Sequence, residues 1–278
     1  MTKNWFSRQA VAGTLACAAV VLGGCAAVET TGSGDVGVDR KQYMSGLVSE
    51  AALQQEAAQQ YSGMMSQAKA QGALNTDVEK TRRVQTIANR LIQQVAVFRP
   101  DARQWNWEVA VLSSDEVNAW CMPGGKMAVY TGLIDQIKPT DDELAAVIGH
   151  EMAHALREHS REQVSQQMAA GIGLSVLSAV TGAGATADMG QALTKVMFTL
   201  PNSRTHEAEA DRIGVELAAR AGYDPRAAVS LWQKMAALGG NAPPEFLSTH
   251  PSAASRTTDL ARSAEQVLPL YKAASGRK

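Results

Sequence analysis

Among the five histidines of the chain, two stand four residues apart in His150-Glu151-Met152-Ala153-His154. On a helix that spacing rotates one imidazole from the other by about 40° and separates them by about 6 Å along the axis. Both can then reach one Zn²⁺, while the glutamate between them approaches the metal's water. The chemistry implied is hydrolysis by a metal-activated water, with Glu151 as the proton acceptor. The neighbouring residues suit a helix: Thr140 and Glu143, just after Pro139, have capping-box spacing, and Leu144, Ile148, Met152 and Leu156 form an apolar stripe on the side away from His150.

A catalytic zinc takes a third protein ligand and keeps one position open for water. His159 is nearest in sequence, but it lies five residues beyond His154, with Arg157 where a chain-turning glycine would be needed. On a continuous helix it points about 180° from His150. The segment Arg204-Thr-His-Glu-Ala-Glu-Ala-Asp-Arg-Ile-Gly214 offers carboxylates instead. Drawn as a helix, it places Glu207, Ala210, Asp211, Gly214, Leu217 and Ala218 on one face, and Glu209, Arg212 and Glu216 on the other. An inward carboxylate pair with no basic residue on its own face is costly to bury unless a metal or a histidine satisfies it. Glu207 is therefore the expected third ligand, and Asp211, one turn on, the expected support that orients a ligand histidine. For the group that stabilises the oxyanion, His206, His250, Tyr223 and Arg256 remain candidates.

His150-Glu-x-x-His154 followed about fifty residues later by Glu207-x-x-x-Asp211 resembles the gluzincin metalloproteases of peptidase family forty-eight, which include HtpX, the CAAX prenyl proteases and the mitochondrial Oma proteases. The chain also resembles the family's soluble envelope members of the LoiP and BepA type. Asn118-Ala119, Pro123-Gly124-Gly125, Thr131-Gly132-Leu133, His250-Pro251-Ser252 and Arg256 also match the family pattern, so the similarity runs from about Thr76 to Leu260. It implies a minigluzincin-like zincin domain binding one zinc per chain, and a membrane-associated endopeptidase that cleaves misfolded or unassembled envelope proteins. In the BepA type, a histidine in the His-Pro context of His250 is associated with filling zinc's open position, which makes His250 a candidate inhibitory fourth ligand. The chain departs from HtpX in lacking clear transmembrane helices, which speaks against an intramembrane or prenyl-substrate role. The competing function is a chaperone-like envelope assembly factor with repressed proteolysis.

The elements that must position these residues give an α+β, mainly helical chain with a small antiparallel sheet before the active-site helix. Thr76 and Glu79 have the spacing of a second capping box, opening a helix with Val84, Ile87, Leu91, Ile92 and Val95 as its apolar positions. Strands are expected over Trp105 to Leu112, Asn118 to Met122 and Lys126 to Thr131, with a turn at Pro123-Gly124-Gly125. Lys126 to Thr131 is the candidate edge strand for pairing with an extended substrate. Residues 163–187 carry no charge and are rich in Ala, Gly, Ser and Thr. They read as a helix plus a mobile loop around Gly182 and Gly184, beside the cleft, followed by a helix from about Gln191 to Phe198.

The start of the chain reads as an address. Lys3 and Arg8 precede an apolar run from Ala10 to Leu22, and Leu22-Gly23-Gly24-Cys25 resembles a bacterial lipobox. That resemblance implies a signal peptide over residues 1–24, lipid on Cys25, and, with Ala rather than Asp at position 26, sorting to the outer membrane facing the periplasm. Residues 25–38 then serve as a flexible tether, 39–75 as an N-terminal helical segment and 76–278 as the protease domain. With Cys17 in the signal and Cys25 lipidated, Cys121 stands alone as a small buried residue. A net charge of −1 and 45% hydrophobic residues describe a globular chain with no nucleic-acid partner.

Overall fold

A computed structural model describes residues 26–172, 185–238, 245–251 and 255–276. The expected signal peptide, Cys25 and the glycine loop around Gly182 and Gly184 lie outside these residues. The elements run β1 (Ala26–Val28), β2 (Gln42–Met44), α1 (Glu50–Ala70), α2 (Val78–Ile92), β3 (Glu108–Leu112), β4 (Ala119–Met122), β5 (Lys126–Tyr130) and α3 (Thr131–Ile137). They continue with α4 (Asp141–Leu156), α5 (His159–Ile172), α6 (Ala185–Phe198), α7 (Arg204–Arg220), α8 (Ala227–Leu238), α9 (Glu245–Thr249) and α10 (Arg256–Ser275). Among the described residues no helix is long and apolar enough to cross a membrane.

The mainly helical zincin-like domain with a small sheet ahead of the active-site helix is present as expected. The hairpin from β4 to β5 turns at Pro123-Gly124-Gly125, where both glycines take left-handed φ, 77° and 81°. A Cβ on Gly125 would lie 2.6 Å from the Trp107 ring, so the turn closes only around glycine. The β4–β5 pairing is antiparallel and the β3–β5 pairing parallel, in the order β3-β5-β4. That order corrects one expectation: Lys126–Tyr130 is the central strand, paired on both sides, and the edge nearest the site is β4. The tight hairpin fixes β4 against β5, and β3 takes the remaining side of β5, leaving that strand no free edge.

Helix α4 is buried around its whole circumference from Glu143 to Leu156, packed among α2, α7, α8 and β4. Its contact with α7 is made backbone to backbone. A Cβ on Gly149 would sit 2.8 Å from the Gly214 carbonyl oxygen, and one on Gly214 would sit 2.7 Å from the His150 nitrogen. Two glycines facing each other let the axes approach closely enough for side chains of α7 to meet the histidines of α4.

Two local expectations change near the start of the domain. The segment read as a flexible tether is packed down: Val36 and Val38 join the main core, Gly32 N donates to Phe98 O at 2.7 Å, and Val36 N donates to Glu216 Oε2 at 3.0 Å. Composition rich in Gly, Ser and Thr does not report that particular backbone amides have found partners. Helix α2 begins one residue later than its expected cap. Asp77, with Oδ1 accepting from Glu79 N and Lys80 N, is the N-cap, while Thr76 Oγ1 lies 2.5 Å from Ser113 Oγ. Aspartate caps at least as well as threonine, and the loop geometry decides between neighbours. Cys121 is buried in β4, as expected.

Candidate metal centre

Helix α4 is set at its start by the capping box, with Glu143 N donating to Thr140 Oγ1 at 3.2 Å and Thr140 N donating to Glu143 Oε2 at 2.8 Å. Lys234 and Ser230 also reach the Glu143 carboxylate, at 2.6 and 2.7 Å, and tie the helix start to α8. Two turns on, His150 and His154 project to one side, their Nε2 atoms 3.1 Å apart. Helix α7 begins at its N-cap Ser203, which accepts from His206 N at 3.1 Å, and this places Glu207 in the first turn. Glu207 Oε1 lies 3.3 Å from His154 Nε2, and Glu207 Oε2 lies 3.5 Å from His150 Nε2. His250, just after α9, completes the group, with Nδ1 3.2 Å from His150 Nε2 and 3.0 Å from Glu207 Oε1.

These four side chains are buried, and the donor set tests whether a metal fits. A tetrahedral zinc with ligands at about 2.0–2.1 Å has its ligand atoms roughly 3.3 Å from one another. Counted over both Glu207 oxygens, five separations fall at 3.0 to 3.5 Å, near that value, and the four ligand atoms all lie within 4.8 Å of one another. Three imidazole nitrogens and a carboxylate oxygen facing one another in a buried site make a zinc donor set.

Behind His150, its Nδ1 stands 3.0 Å from Asp211 Oδ1, the supporting position read from the helical wheel. Both carboxylates of α7 also meet Arg256: Nη1 donates to Glu207 at 2.9 Å and Nη2 to Asp211 at 2.7 Å, with the guanidinium over the Trp232 ring. The counter-charge absent from their own face is therefore supplied by α10. Burial works against the Glu207 carboxylate, but His250, His150 and His154 outweigh it and hold its pKa well below the usual range.

His154 is backed differently. Helix α4 stops at Leu156, and Glu158 takes a left-handed φ of 53°, held by Arg99 at 2.6 Å and Arg161 at 2.8 Å. The chain restarts as α5 with His159 aimed back, its Nδ1 2.9 Å from His154 Nδ1. His159 is not one of the four clustered residues, and the premise of a continuous helix through it does not hold. The wheel's other reading, that Glu209 faces away from the inward set, holds, but Glu209 is not at the surface. It is covered by Arg40, Arg157 and His159.

Glu151 is buried, its Oε1 has no hydrogen-bond partner, and His250 Nε2 lies 3.5 Å from it. Burial raises its pKa. It borders a cavity of about 320 Å³ that is also lined by His154, His250, β4 and the end of α6. Of the four oxyanion candidates only His250 lines this cavity. His206 turns instead to Glu162, 3.1 Å away, Arg256 is engaged by the two carboxylates, and Tyr223 lies under Arg90.

A helix bearing His-Glu-x-x-His, joined across a glycine contact by a helix bearing Glu-x-x-x-Asp, defines a gluzincin-type metal centre. The sequence model of Peptidase family M48 matches residues 78–264, and the chain belongs to that family. Its relatives include the mitochondrial metalloendopeptidase OMA1 of Arabidopsis thaliana, 40% identical over 60% of this chain and 34% of that protein. The OMA1 metalloendopeptidase of Bos taurus is 39% identical over 62% of this chain and 35% of its own length. The beta-barrel assembly-enhancing protease of Yersinia pestis is 29% identical over 75% of this chain and 44% of its length. The chain thus spans about a third to a half of the length of the curated relatives it matches. Metalloproteases of family M48 use zinc, and the buried cluster could hold one such ion.

Proposed function

We propose that the chain is a zinc-dependent endopeptidase in which His150, His154 and Glu207 hold one zinc ion and Glu151 is the general base. The observation that carries this reading is the convergence of four buried ligand groups within 4.8 Å of one another next to an unpartnered carboxylate oxygen. Bound there, zinc would supply Lewis acidity, lowering the pKa of a water and polarising the scissile carbonyl. Glu151 accepts the water's proton at Oε1 and passes it to the leaving amine, a double role suited to a carboxyl whose pKa burial has raised. Asp211 and Arg256 hold His150 and Glu207 in place. Edge strand β4, which lines the cavity, pairs with an extended substrate backbone.

In this reading Glu151→Gln retains zinc and loses cleavage of an unfolded protein by more than about 100-fold; full turnover in that variant would show the base assignment to be wrong. His250 would be an inhibitory fourth ligand in the position otherwise open to water, a role supported by its 3.2 and 3.0 Å approaches to His150 and Glu207. His250→Ala should therefore raise turnover, whereas a fall would assign His250 to the oxyanion and not to closure. A closed site also favours a second reading, a chaperone-like assembly factor with repressed proteolysis. A wild type that suppresses aggregation but never cleaves, even as His250→Ala, would select it.

The biological setting is read from the start of the chain and from the name of the bacterial relatives. Lipid on Cys25 anchors the protein in a bacterial cell envelope, at the outer membrane facing the periplasm, where it acts on unfolded or misassembled envelope proteins. Palmitate incorporation that persists in Cys25→Ala would refute the anchor.

A further inference from the structure

The proposed reaction leaves unused a buried polar cluster on the far side of His154. His159 Nε2 is 3.0 Å from Glu209 Oε2, and His159 Nδ1 is 2.9 Å from His154 Nδ1. The proton positions follow from valence. A carboxylate offers only lone pairs, so His159 carries its proton on Nε2 and donates it to Glu209, which leaves Nδ1 as an acceptor. His154 must then donate from its own Nδ1, and its Nε2 is left bare. That bare nitrogen is the one facing Glu207 and His150. The relay selects the His154 tautomer that can bind a cation in the cluster.

What fixes His159 comes largely from the N-terminal segment. Glu209 accepts from Arg40 Nε at 2.6 Å and from Arg157 Nε at 3.1 Å. Arg40 donates with both terminal nitrogens to Glu162, each at 2.8 Å, and Glu162 also accepts from Gln42 at 3.0 Å. Glu162 meets His206, whose ring stacks on His159 with centroids 4.3 Å apart. Arg157 in turn donates to the Arg40 carbonyl and to Thr31. Residues 30–42 lie before the stretch that the family model matches, yet they close the cluster behind a metal-side histidine.

We infer that His159 is a positioning residue for the metal, and that residues 30–42 are a strap, fastened through Arg40, that holds His159 against His154. The inference rests on the proposed reading of His154 as a zinc ligand. Its consequence is that zinc affinity depends on a segment with no atom at the metal: displacing the strap leaves Glu209 to Arg157 alone, gives His159 more freedom, and loosens His154 without touching Glu207 or Asp211.

The test measures zinc dissociation constants of the full-length chain by competition with a chromophoric chelator, beside the melting temperature without metal. His159→Ala is expected to weaken zinc about 10–100-fold. His159→Gln, whose amide can accept from His154 and donate to Glu209, should recover most of that loss. Arg40→Ala should weaken zinc less, and the double variant Arg40→Ala with His159→Ala no more than His159→Ala alone, because one path carries both effects. In the cobalt-substituted protein His159→Ala should shift the visible ligand-field bands. If His159→Ala lowers the metal-free melting temperature while affinity and bands stay at wild-type values, the positioning role is overturned; additive losses in the double variant overturn the strap. A wild type that takes up no stoichiometric zinc, matching His154→Ala, overturns the metal assignment itself.

Discussion

The two histidines of α4 are supported from behind in opposite styles. His150 leans on a charged pair, Asp211 and Arg256, brought by α7 and α10 from within the family-matched residues. His154 leans on a neutral ring, His159, and through it on a network that reaches Arg40 and Gln42 near the start of the described chain. The first support is short and fully charged, with each partner buried beside the other. The second is long, and its charges lie one residue removed from the ligand. A short ionic support binds its histidine tightly at the risk of stranding a buried charge, whereas a long relay spreads the same task over groups that can be exchanged one at a time.

The strongest way to break this contrast is Asp211→Ala. It leaves the Arg256 guanidinium buried with only Glu207 as its anion, and removing one member of a buried pair costs about 3–5 kcal/mol. Denaturant unfolding of the metal-free protein should show a loss of that size, well above the loss for His159→Ala; equal losses would erase the distinction between the two supports. The next largest effect sharpens it by striking both supports at their common base. A methyl on Gly214 would sit 2.7 Å from the His150 nitrogen and 2.9 Å from the Gly149 carbonyl carbon, and backbone cannot rotate away as a side chain can. Gly214→Ala should cost roughly 1–3 kcal/mol by overpacking and weaken zinc through both histidines together. A variant with unchanged stability and affinity would mean that the α4–α7 contact is not what sets the metal centre.

The same contrast separates what was legible in the sequence from what was not. Glu207 and Asp211 lie i,i+4 on one helix, so a wheel places them together, and the capping box at Thr140 and Glu143 is local by nature. Periodicity reports faces, and these residues are positioned by their faces. The support of His154 depends instead on α4 ending at Leu156 and on Glu158 taking a left-handed φ, which no apolar pattern encodes. It depends also on residues 30–42 returning across more than a hundred positions of chain, as from Gln42 to the Arg157 carbonyl at 2.7 Å. Turn-rich composition gives residues 25–38 the look of a tether, and Arg40 and Gln42 fall in the segment read as helical. The available signal was Arg40, which with Lys41 places cations at the end of a segment otherwise suited to solvent, together with two glutamates on later helices in need of a partner. The strand order was hidden for a related reason: three short strands with a tight turn fix the hairpin, and the side on which β3 joins is decided by packing.

The smallest expected effect, and the most specific to the long support, is its response to acid. Burial pushes the Glu162 carboxyl up, but Arg40, His206 and Gln42 outweigh it and hold its pKa far below its ordinary value of 4.5. A carboxyl whose pKa is lower folded than unfolded adds stability above its unfolded value and loses that contribution as the pH falls toward the folded one. Wild type should therefore melt above Glu162→Gln by a constant margin from neutrality down to about pH 5, and the margin should shrink steadily once the pH drops below the unfolded value near 4.5. The amide keeps the shape but cannot carry the charge that Arg40 needs, so the two melting curves against pH isolate that charge from packing. Asp211→Ala should keep the acid-dependent margin, because Glu162 and its partners lie in the other support. Parallel curves for wild type and Glu162→Gln would show that the strap is held by shape alone and that Arg40 makes no ionic contribution to it.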